Sequence, residues 1–220
     1  SSDGTKLAAV EALGSVWASN DSGDSWNKVP GGFAANNYAG IGLTSTGAVV
    51  GTARITSSSD GTKIAVSALN SYIWLVDYNN PTNQTLQYIA QMECYWTDIA
   101  MNSDGTKLAG VETGRTRSIT SGGYIWIGQA AGQQWVGAPG DNTYPTATTL
   151  ADFNTDPPTL VSDSQWKYAK DNNGDSLLNF WSGITCDSTF QYLAAIVDYQ
   201  GGSRPEGGIW TSNDSGISFT

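Results

Sequence analysis

A seven-residue phrase recurs three times along this chain and constrains its fold more than any other feature. It reads Ser-Asp-Gly-Thr-Lys-Leu/Ile-Ala and begins at Ser2, Ser59 and Ser103. Asp-Gly is typical of a tight turn whose glycine takes positive φ, and the apolar run after it alternates as a half-buried strand does. A turn-and-strand phrase that returns after roughly 45–50 residues indicates an array of small β-sheets. The chain is therefore predicted to be all-β.

Each repeat unit is predicted to contain four strands. The third unit displays them best, with strand-like runs at 96–100, 107–111 and 124–127 and a fourth run that begins at Trp135. An aromatic residue of the third strand precedes one of the fourth strand by nine positions in Trp17/Trp26, Trp126/Trp135 and Trp210/Phe219. We expect five units, which we number one to five, with approximate boundaries at 1–48, 49–92, 93–140, 141–178 and 179–220.

The composition excludes several classes of function. The chain has 220 residues and a formal net charge of −10, with only 10 Lys plus Arg. Because binding to phosphates requires clustered cations, we expect no nucleic-acid partner. No apolar run approaches the ~20 residues that span a bilayer, so we expect no membrane insertion. The chain does not begin with Met and shows no leader pattern, which favours a mature or excised segment.

The chemistry available to the chain is limited by its histidine and cysteine content. The chain has no histidine and only two cysteines. Ser-His and Cys-His nucleophile pairs are therefore excluded, as is a zinc site of the usual four-ligand kind. We predict no metal and no cofactor.

A second motif connects the third and fourth strands. Residues 19–26 read Ser-Asn-Asp-Ser-Gly-Asp-Ser-Trp, residues 212–219 nearly repeat them, and residues 170–177 align as a degenerate copy. This phrase is the Asp box, and the chain resembles the Asp-box (bacterial neuraminidase repeat) β-propellers, a group that includes sialidases, photosystem II assembly factors and sortilin-type receptors. The resemblance covers essentially the whole chain. It implies a β-propeller of four-stranded antiparallel blades.

The Asp box has a structural purpose of its own. Its Asp and Ser side chains are expected to bond local backbone N–H groups, while its aromatic residue packs between sheets. The degenerate copy has oxygen ligands suited to Ca²⁺ but lacks the spacing and the distal Glu of an EF-hand loop, so we predict an ordinary Asx turn there. We assign a structural role to Asp21, Gly23, Trp26, Asp171, Gly174, Asp214, Gly216 and Phe219.

The order of the strands leaves the predicted ring open. The chain starts at a second strand and stops where a fourth strand begins, so the first strand of unit one is missing from both ends. A propeller closes by pairing its first and last strands in one sheet, which removes open edges. We expect either a longer ring or a strand supplied by another chain.

Long connections are expected to gather on the face opposite the Asp-Gly turns and Asp boxes, at 28–48, 78–94, 112–123, 136–150 and 198–208. Two interpretations of their charged residues remain open: a patch that binds anions or sugars, since Arg grips carboxylates bidentately, or local ion pairs that hold the loops. Tyrosines of this face, at positions 38, 78, 95, 144 and 199, either stack on sugar rings or cover sheet edges. The candidate ligand-binding residues are Arg115, Arg117, Arg204, Glu112, Asp198, Tyr199 and Glu206.

The resemblance to sialidases implies an arginine triad, a Tyr nucleophile with a Glu base, and an acidic proton donor. The Arg-Ile-Pro entry motif is missing, and Ser203-Arg204-Pro205 echoes it only weakly. We therefore predict a non-enzymatic extracellular propeller that acts as a scaffold or recognition module, with further copies of itself or glycans as partners. The alternative is a carbohydrate-binding lectin or a sialidase-like glycosidase.

The sequence also allows predictions about glycosylation and about a disulfide. Three Asn-x-Ser/Thr sequons, at Asn20, Asn83 and Asn213, suit a secreted glycoprotein, and Asn83 is expected to carry sugar first. Cys94 and Cys186 are expected at opposite ends of first strands. About seven strand residues, or ~20 Å, would then separate their levels, whereas a disulfide tolerates Cα distances up to ~7 Å. We predict that they do not pair.

Overall fold

The computed structural model describes residues 1–11, 15–30, 53–67, 71–79, 87–115, 122–129, 150–152, 159–160, 167–174, 177, 179–198 and 208–220. Every secondary-structure element in these ranges is a β-strand, so the all-β prediction is confirmed. The strands are β1 (Leu7–Val10), β2 (Val16–Ser19), β3 (Asn27–Lys28), β4 (Arg54–Ser57), β5 (Lys63–Ser67), β6 (Ser71–Asp77), β7 (Gln87–Met101), β8 (Lys107–Arg115), β9 (Ile125–Gln129), β10 (Leu150–Asp152), β11 (Thr159–Leu160), β12 (Lys167–Tyr168), β13 (Lys170–Asp171), β14 (Trp181–Cys186), β15 (Leu193–Val197), β16 (Gly208–Ser212) and β17 (Ser218–Phe219).

Most strands form the meandering antiparallel sheets of propeller blades, and β13 pairs with β17 in parallel. Unit one is the sheet β1-β2-β3, and unit five is the sheet β14-β15-β16. In unit five, reciprocal backbone hydrogen bonds of 2.8 and 2.9 Å between Thr211 and Thr220 bring the chain after β17 alongside β16. Units two and three share one seven-stranded sheet of order β12-β9-β8-β7-β6-β5-β4, and β10 pairs with β11 in a separate hairpin. The chain is a partial propeller whose ring is not closed.

One long strand belongs to two units. The N-terminal half of β7 pairs with β6, from Leu75↔Gln87 to Ser71↔Cys94, and its C-terminal half pairs with β8, from Cys94↔Arg115 to Met101↔Leu108. The sequence predicted a loop at 78–94 and a first strand of unit three that starts at residue 96. Residues 87–94 instead extend that strand backward as the fourth strand of unit two, which places Cys94 inside β7.

The fourth strand of unit three comes from farther along the chain than predicted. Lys167↔Ile127 and Tyr168↔Trp126 pair β12 with β9, and the Ala169 N–H donates to the Ile125 carbonyl at 2.8 Å. The strand predicted at Trp135 lies outside the described residues. Residues 167–168 of the predicted unit four therefore complete the sheet of unit three, whereas residues 170–171 pair with β17 of unit five.

The units stack in a row with unit five directly against unit three. The largest core cluster joins strands of unit three to strands of unit five and includes Val111, Ile125, Trp181, Leu193 and Phe219. The other cluster joins β1 and β2 to β5 and β6. A chain of backbone hydrogen bonds follows the same order, because the N–H groups of Ser2, Ser59 and Ser103 donate to the carbonyls of Ser59, Ser103 and Ser188, at 2.6, 2.8 and 3.0 Å.

Candidate functional site

The structure describes only part of the predicted ligand-binding set. Arg117, Tyr199, Arg204 and Glu206 lie outside the described residues, as do Tyr38, Asn83 and Tyr144. Arg115 is the last residue of β8 and pairs with Cys94, so it belongs to a strand rather than to the predicted loop. Asp198 is exposed, and its backbone N–H donates to the Phe180 carbonyl at 2.9 Å.

Glu112 lies in the core and not on an exposed loop. Its side chain is fully buried, and its Oε1 accepts the indole N–H of Trp126 at 3.1 Å. An equivalent pair exists in unit one, where the indole N–H of Trp17 donates to Glu11 at 3.4 Å. Val-Glu occupies the same position relative to the second strand in both units, so the repeated dipeptides at 10–11 and 111–112 are the signal that identifies a structural glutamate.

Polar side chains of the first strands join three units. Arg54 Nε of β4 lies 3.9 Å from Asp98 Oδ1 of β7. The other oxygen of Asp98 accepts the Ile184 N–H of β14 at 3.0 Å, and the Thr97 hydroxyl donates to the Trp181 carbonyl at 2.8 Å. This cluster holds neighbouring blades together. Its cation, Arg54, lies next to the carboxylate of Asp98.

The Asp box of unit one forms the predicted network. Asp21 Oδ1 accepts the Ser19 hydroxyl at 2.7 Å and the Ser25 N–H at 2.9 Å, and Oδ2 accepts the Ser25 hydroxyl at 2.5 Å. The Gly23 N–H donates to the Ser19 hydroxyl at 2.9 Å. These bonds, from Ser25 first, lower the pKa of Asp21 to about 2 because they stabilise its charged form.

The box of unit five repeats this network, but the two aromatic residues differ. Asp214 accepts the Ser212 hydroxyl at 2.7 Å and the Ser218 hydroxyl at 2.6 Å. Partial burial raises the pKa of Asp214, but the bonds from Ser218 and Ser212 outweigh it and the net shift is downward. Phe219 is 1% exposed, whereas Trp26 is 40% exposed and donates its indole N–H to a backbone carbonyl. Trp26 belongs to unit one, which packs against unit two among the described residues.

The degenerate copy is an Asx turn. The Asn173 N–H donates to Asp171 Oδ1 at 2.9 Å, and the Gly174 N–H donates to the Asp171 carbonyl at 3.0 Å. Gly174 has a φ of 85°, close to the 82° of Gly216. Within the described residues, no group of three or more His, Cys, Asp or Glu is arranged to hold a metal ion.

The Asp-Gly turns hold their carboxylates in the same way. Asp60 Oδ1 accepts the Ser58 hydroxyl at 2.6 Å and the Thr62 N–H at 3.0 Å, and these bonds lower the pKa of Asp60 to about 2. Asp3 and Asp104 occupy equivalent positions, and bonds from Ser1 and Thr106 respectively lower their pKa values.

A fourth turn of this kind was not identified from the sequence. Residues 187–192 read Asp-Ser-Thr-Phe-Gln-Tyr, and Phe190 takes the position of the glycine with a φ of 63°. Asp187 Oδ2 accepts the hydroxyl of Thr189, and Oδ1 accepts the Tyr192 N–H at 2.9 Å. The bond from Thr189 is the largest cause that lowers the pKa of Asp187.

Acidification is expected to destabilise the fold through these turns. A carboxyl whose folded pKa lies below its unfolded value of 3.8 stabilises the fold above pH ~4, and that stability is lost as the pH falls through the folded pKa of about 2. The thermal midpoint should therefore fall between pH 4 and pH 2, and circular dichroism melts over this range measure it. Asp60→Asn is the matched control and should show a smaller fall. A flat profile would contradict the assigned role of the turn carboxylates.

Cys186 is a free thiol at the end of β14. Burial, with a smaller contribution from the charge of Asp187, raises its pKa to about 11. A thiol with so high a pKa has little thiolate at neutral pH and is a poor nucleophile.

The described part of the chain also contains a shallow crevice between units one and two. The space inside it that a water-sized molecule can occupy is about 10 Å³, and Lys6, Asn20, Gly61 and Tyr78 are among the residues that line it. Tyr78 packs against the core cluster of these units, and burial raises the pKa of its hydroxyl. The volume of the crevice is about what a single water molecule requires, far below the roughly 300–1,000 Å³ of typical small-molecule pockets.

Comparison with solved structures identifies the architecture. The GH74 xyloglucanase of Xanthomonas campestris is similar to this chain with a TM-score of 0.55 at 16% identity, over 100% of this chain and 28% of the enzyme. A GH74 enzyme of Niastella koreensis has a TM-score of 0.55 at 13% identity, over 99% of this chain and 27% of the enzyme. The tricorn protease has a TM-score of 0.53 at 11% identity, over 99% of this chain and 21% of the protease.

These similarities establish the fold and nothing finer. All three proteins contain β-propellers, and this chain is a partial β-propeller. The chain spans less than a third of the length of each of them. No protein-family model matches the sequence, and no curated protein matches it. Among the described residues, no helix has the length and apolarity needed to cross a membrane.

Proposed function

We propose that the chain is a non-enzymatic propeller module that presents a rigid row of blades as a scaffold. The observation that supports this proposal is that the described aspartate carboxylates are hydrogen-bonded within turns. A glycosidase of the usual kind requires a general acid whose pKa is raised, paired with a second carboxylate across the scissile bond. Six aspartates with lowered pKa values are instead held in turns, namely Asp3, Asp21, Asp60, Asp104, Asp187 and Asp214.

The proposal includes an extracellular location. Asn20 and Asn213 are both exposed in their Asp boxes, so the two described sequons present side chains that an oligosaccharide can reach. The large share of uncharged polar turns and the scarcity of lysine suit the same location. Glycosylation at either asparagine would project from the face of the Asp-Gly turns and leave the opposite face open.

The alternative is a carbohydrate-binding function on that opposite face. Two of the similar structures are GH74 enzymes, and one of them is a xyloglucanase by name. Arg115 at the end of β8 is the described member of the arginine set that would grip a carboxylated or hydroxylated sugar. Xyloglucan and a sialoside are therefore the two ligands to test.

The experiment is a combined screen of binding and hydrolysis. The purified chain is tested on a glycan array, on soluble xyloglucan with reducing-sugar detection, and on fluorogenic sialosides. We expect no sugar release and no binding. Binding or hydrolysis that is lost in Arg204→Ala or Arg115→Ala but kept in Lys28→Ala, an exposed cation of β3, would overturn the scaffold proposal in favour of the carbohydrate function.

A further inference from the structure

The Asp-Gly turns of neighbouring units lie directly on one another. The Ser59 N–H in the turn of unit two donates to the Ser103 carbonyl in the turn of unit three at 2.8 Å. A methyl group added at Gly105, which has a φ of 68°, would lie 2.6 Å from Lys63 Cδ and 3.3 Å from Ser58 Cβ of unit two. Glycine is therefore favoured here for a second reason besides its positive φ, because the side chain of Lys63 occupies the space beside it.

Lys63 of unit two holds the turn of unit three with both its stem and its charge. Its methylene stem lies over the bare backbone of Gly105, and its ammonium group donates to the carbonyls of Asp104 and Gly105 at 3.1 and 3.4 Å. A lysine side chain commonly covers a surface with its stem while its charged end forms hydrogen bonds. We call this contact of a turn lysine with the turn of the next unit a turn clasp.

An equivalent clasp joins unit one to unit two. A methyl group added at Gly61 would lie 2.7 Å from Lys6 Cβ and 3.1 Å from Lys6 Cδ. The Ser2 N–H donates to the Ser59 carbonyl at 2.6 Å, as the Ser59 N–H does to Ser103 at the following junction. The lysine and the glycine of the recurring phrase thus contact each other across a junction between units.

The junction of units three and five keeps the lysine and changes its partner. Phe190 takes the glycine position of unit five, and Lys107 Nζ lies 5.7 Å from the centroid of its fully buried ring. A lysine over an aromatic ring makes a cation–π contact. The Ser103 N–H donates to the Ser188 carbonyl at 3.0 Å, so the backbone contact between the turns is kept. At all three junctions whose turns the structure describes, a lysine therefore contacts the next turn.

We propose that the turn clasps couple neighbouring units, so that each lysine holds the turn of the next unit closed. In the turn of unit three, the N–H groups of Thr106 and Lys107 donate to Asn102 Oδ1, both at 2.9 Å. These bonds last only while the turn is closed, and the carbonyls of the same turn are bound by Lys63 of unit two. Local opening of unit three is thus controlled from unit two, as nearest-neighbour contacts control repeat arrays. The inference goes beyond the proposed function, because the coupling is independent of what the row of blades presents.

The test is amide hydrogen exchange resolved by residue with NMR. In Lys63→Ala, exchange at Thr106 and Lys107 of unit three should become about three- to tenfold faster, as expected when one hydrogen bond of ordinary strength is lost. Exchange at Tyr192 of unit five should not change. Its N–H donates to Asp187 at 2.9 Å, in a turn that Lys107 holds.

Lys28→Ala is the matched control for this measurement. Lys28 is an exposed lysine of β3 that lies outside the Asp-Gly turns, so its removal should leave exchange at Thr106 and Lys107 unchanged. Thermal melts establish that both variants are folded. Equal exchange at Thr106 and Lys107 in Lys63→Ala and Lys28→Ala would overturn the inference.

A double-mutant cycle tests the pairing of lysine with glycine by a separate measurement. Gly105→Ala adds steric overlap with Lys63 to the strain of a positive φ. Gly174→Ala adds the strain alone, because Gly174 has a φ of 85° and an added methyl group meets nothing within 4 Å. We expect Gly105→Ala to lower the thermal midpoint more than Gly174→Ala does, and to lower it less when Lys63→Ala is already present. A loss that is the same with and without Lys63 would overturn the clasp but not the scaffold proposal, which the sugar screen tests.

Discussion

Replacing Trp181 by alanine is expected to lower the free energy of unfolding by about 3–5 kcal/mol, the cost typical of truncating a large aromatic side chain in a core. Trp181 is fully buried in the cluster between units three and five. Its indole N–H donates to the Gly123 carbonyl at 3.0 Å, and its ring meets that of Trp210 edge to face with centroids 6.2 Å apart. Urea unfolding followed by far-UV circular dichroism measures the change.

Trp26→Ala is the matched control for this prediction. Trp26 is 40% exposed, so its truncation leaves no closed cavity and should cost well under half as much. Equal losses in the two variants would show that the contact of unit five with unit three does not stabilise the row. A loss in Trp26→Ala alone would contradict the packing described for unit one.

Removing the carboxylate of Glu112 is the second large change. Glu112→Ala leaves the buried indole N–H of Trp126 without the acceptor that lies at 3.1 Å, and we expect a loss of about 1–3 kcal/mol in the free energy of unfolding. Glu112→Gln keeps an amide oxygen at the same place and should lose less. The same urea experiment applies to both variants.

The equivalent glutamate of unit one is the control. Glu11 accepts the indole N–H of Trp17 at 3.4 Å in an exposed setting, where water replaces a lost partner. Glu11→Ala should therefore leave stability nearly unchanged. If Glu112→Ala were as mild, the buried pair would not be the structural element inferred from the two Val-Glu dipeptides.

The turns could be predicted from the sequence because their hydrogen bonds are local. Asp60 and Asp104 each accept the N–H two residues later, at 3.0 and 2.9 Å, so a short phrase contains both partners. Phe190 shows the limit of this reasoning. It takes the positive φ that glycine adopts in the other turns, and its ring lies 5.7 Å from Lys107 Nζ of unit three, a contact that no local phrase encodes.

Strand pairing was harder to predict, because it depends on residues far apart in the chain. The continuity of β7 across two units follows from its pairing with β6 on one side and β8 on the other, and residues 87–94 carry no turn phrase that marks the change. The candidate site was mispredicted for the same reason, because its residues depend on where the strands end. Glu112 was assigned to a loop because β8 was expected to end at residue 111, whereas the strand continues to Arg115.

Because β12 is synthesised well after β9, the sheet of unit three stays incomplete for part of translation. Strand β9 ends at Gln129, and its partner β12 begins only at Lys167, roughly forty residues later. A ribosome that adds about 5–20 residues per second needs about 2–8 s to supply them. Until β12 is made, the described residues supply no partner for the edge of β9 formed by Ile125, Trp126 and Ile127, and an open strand edge is a surface on which nascent chains pair with one another. The yield of folded protein should therefore depend on translation speed between these two strands.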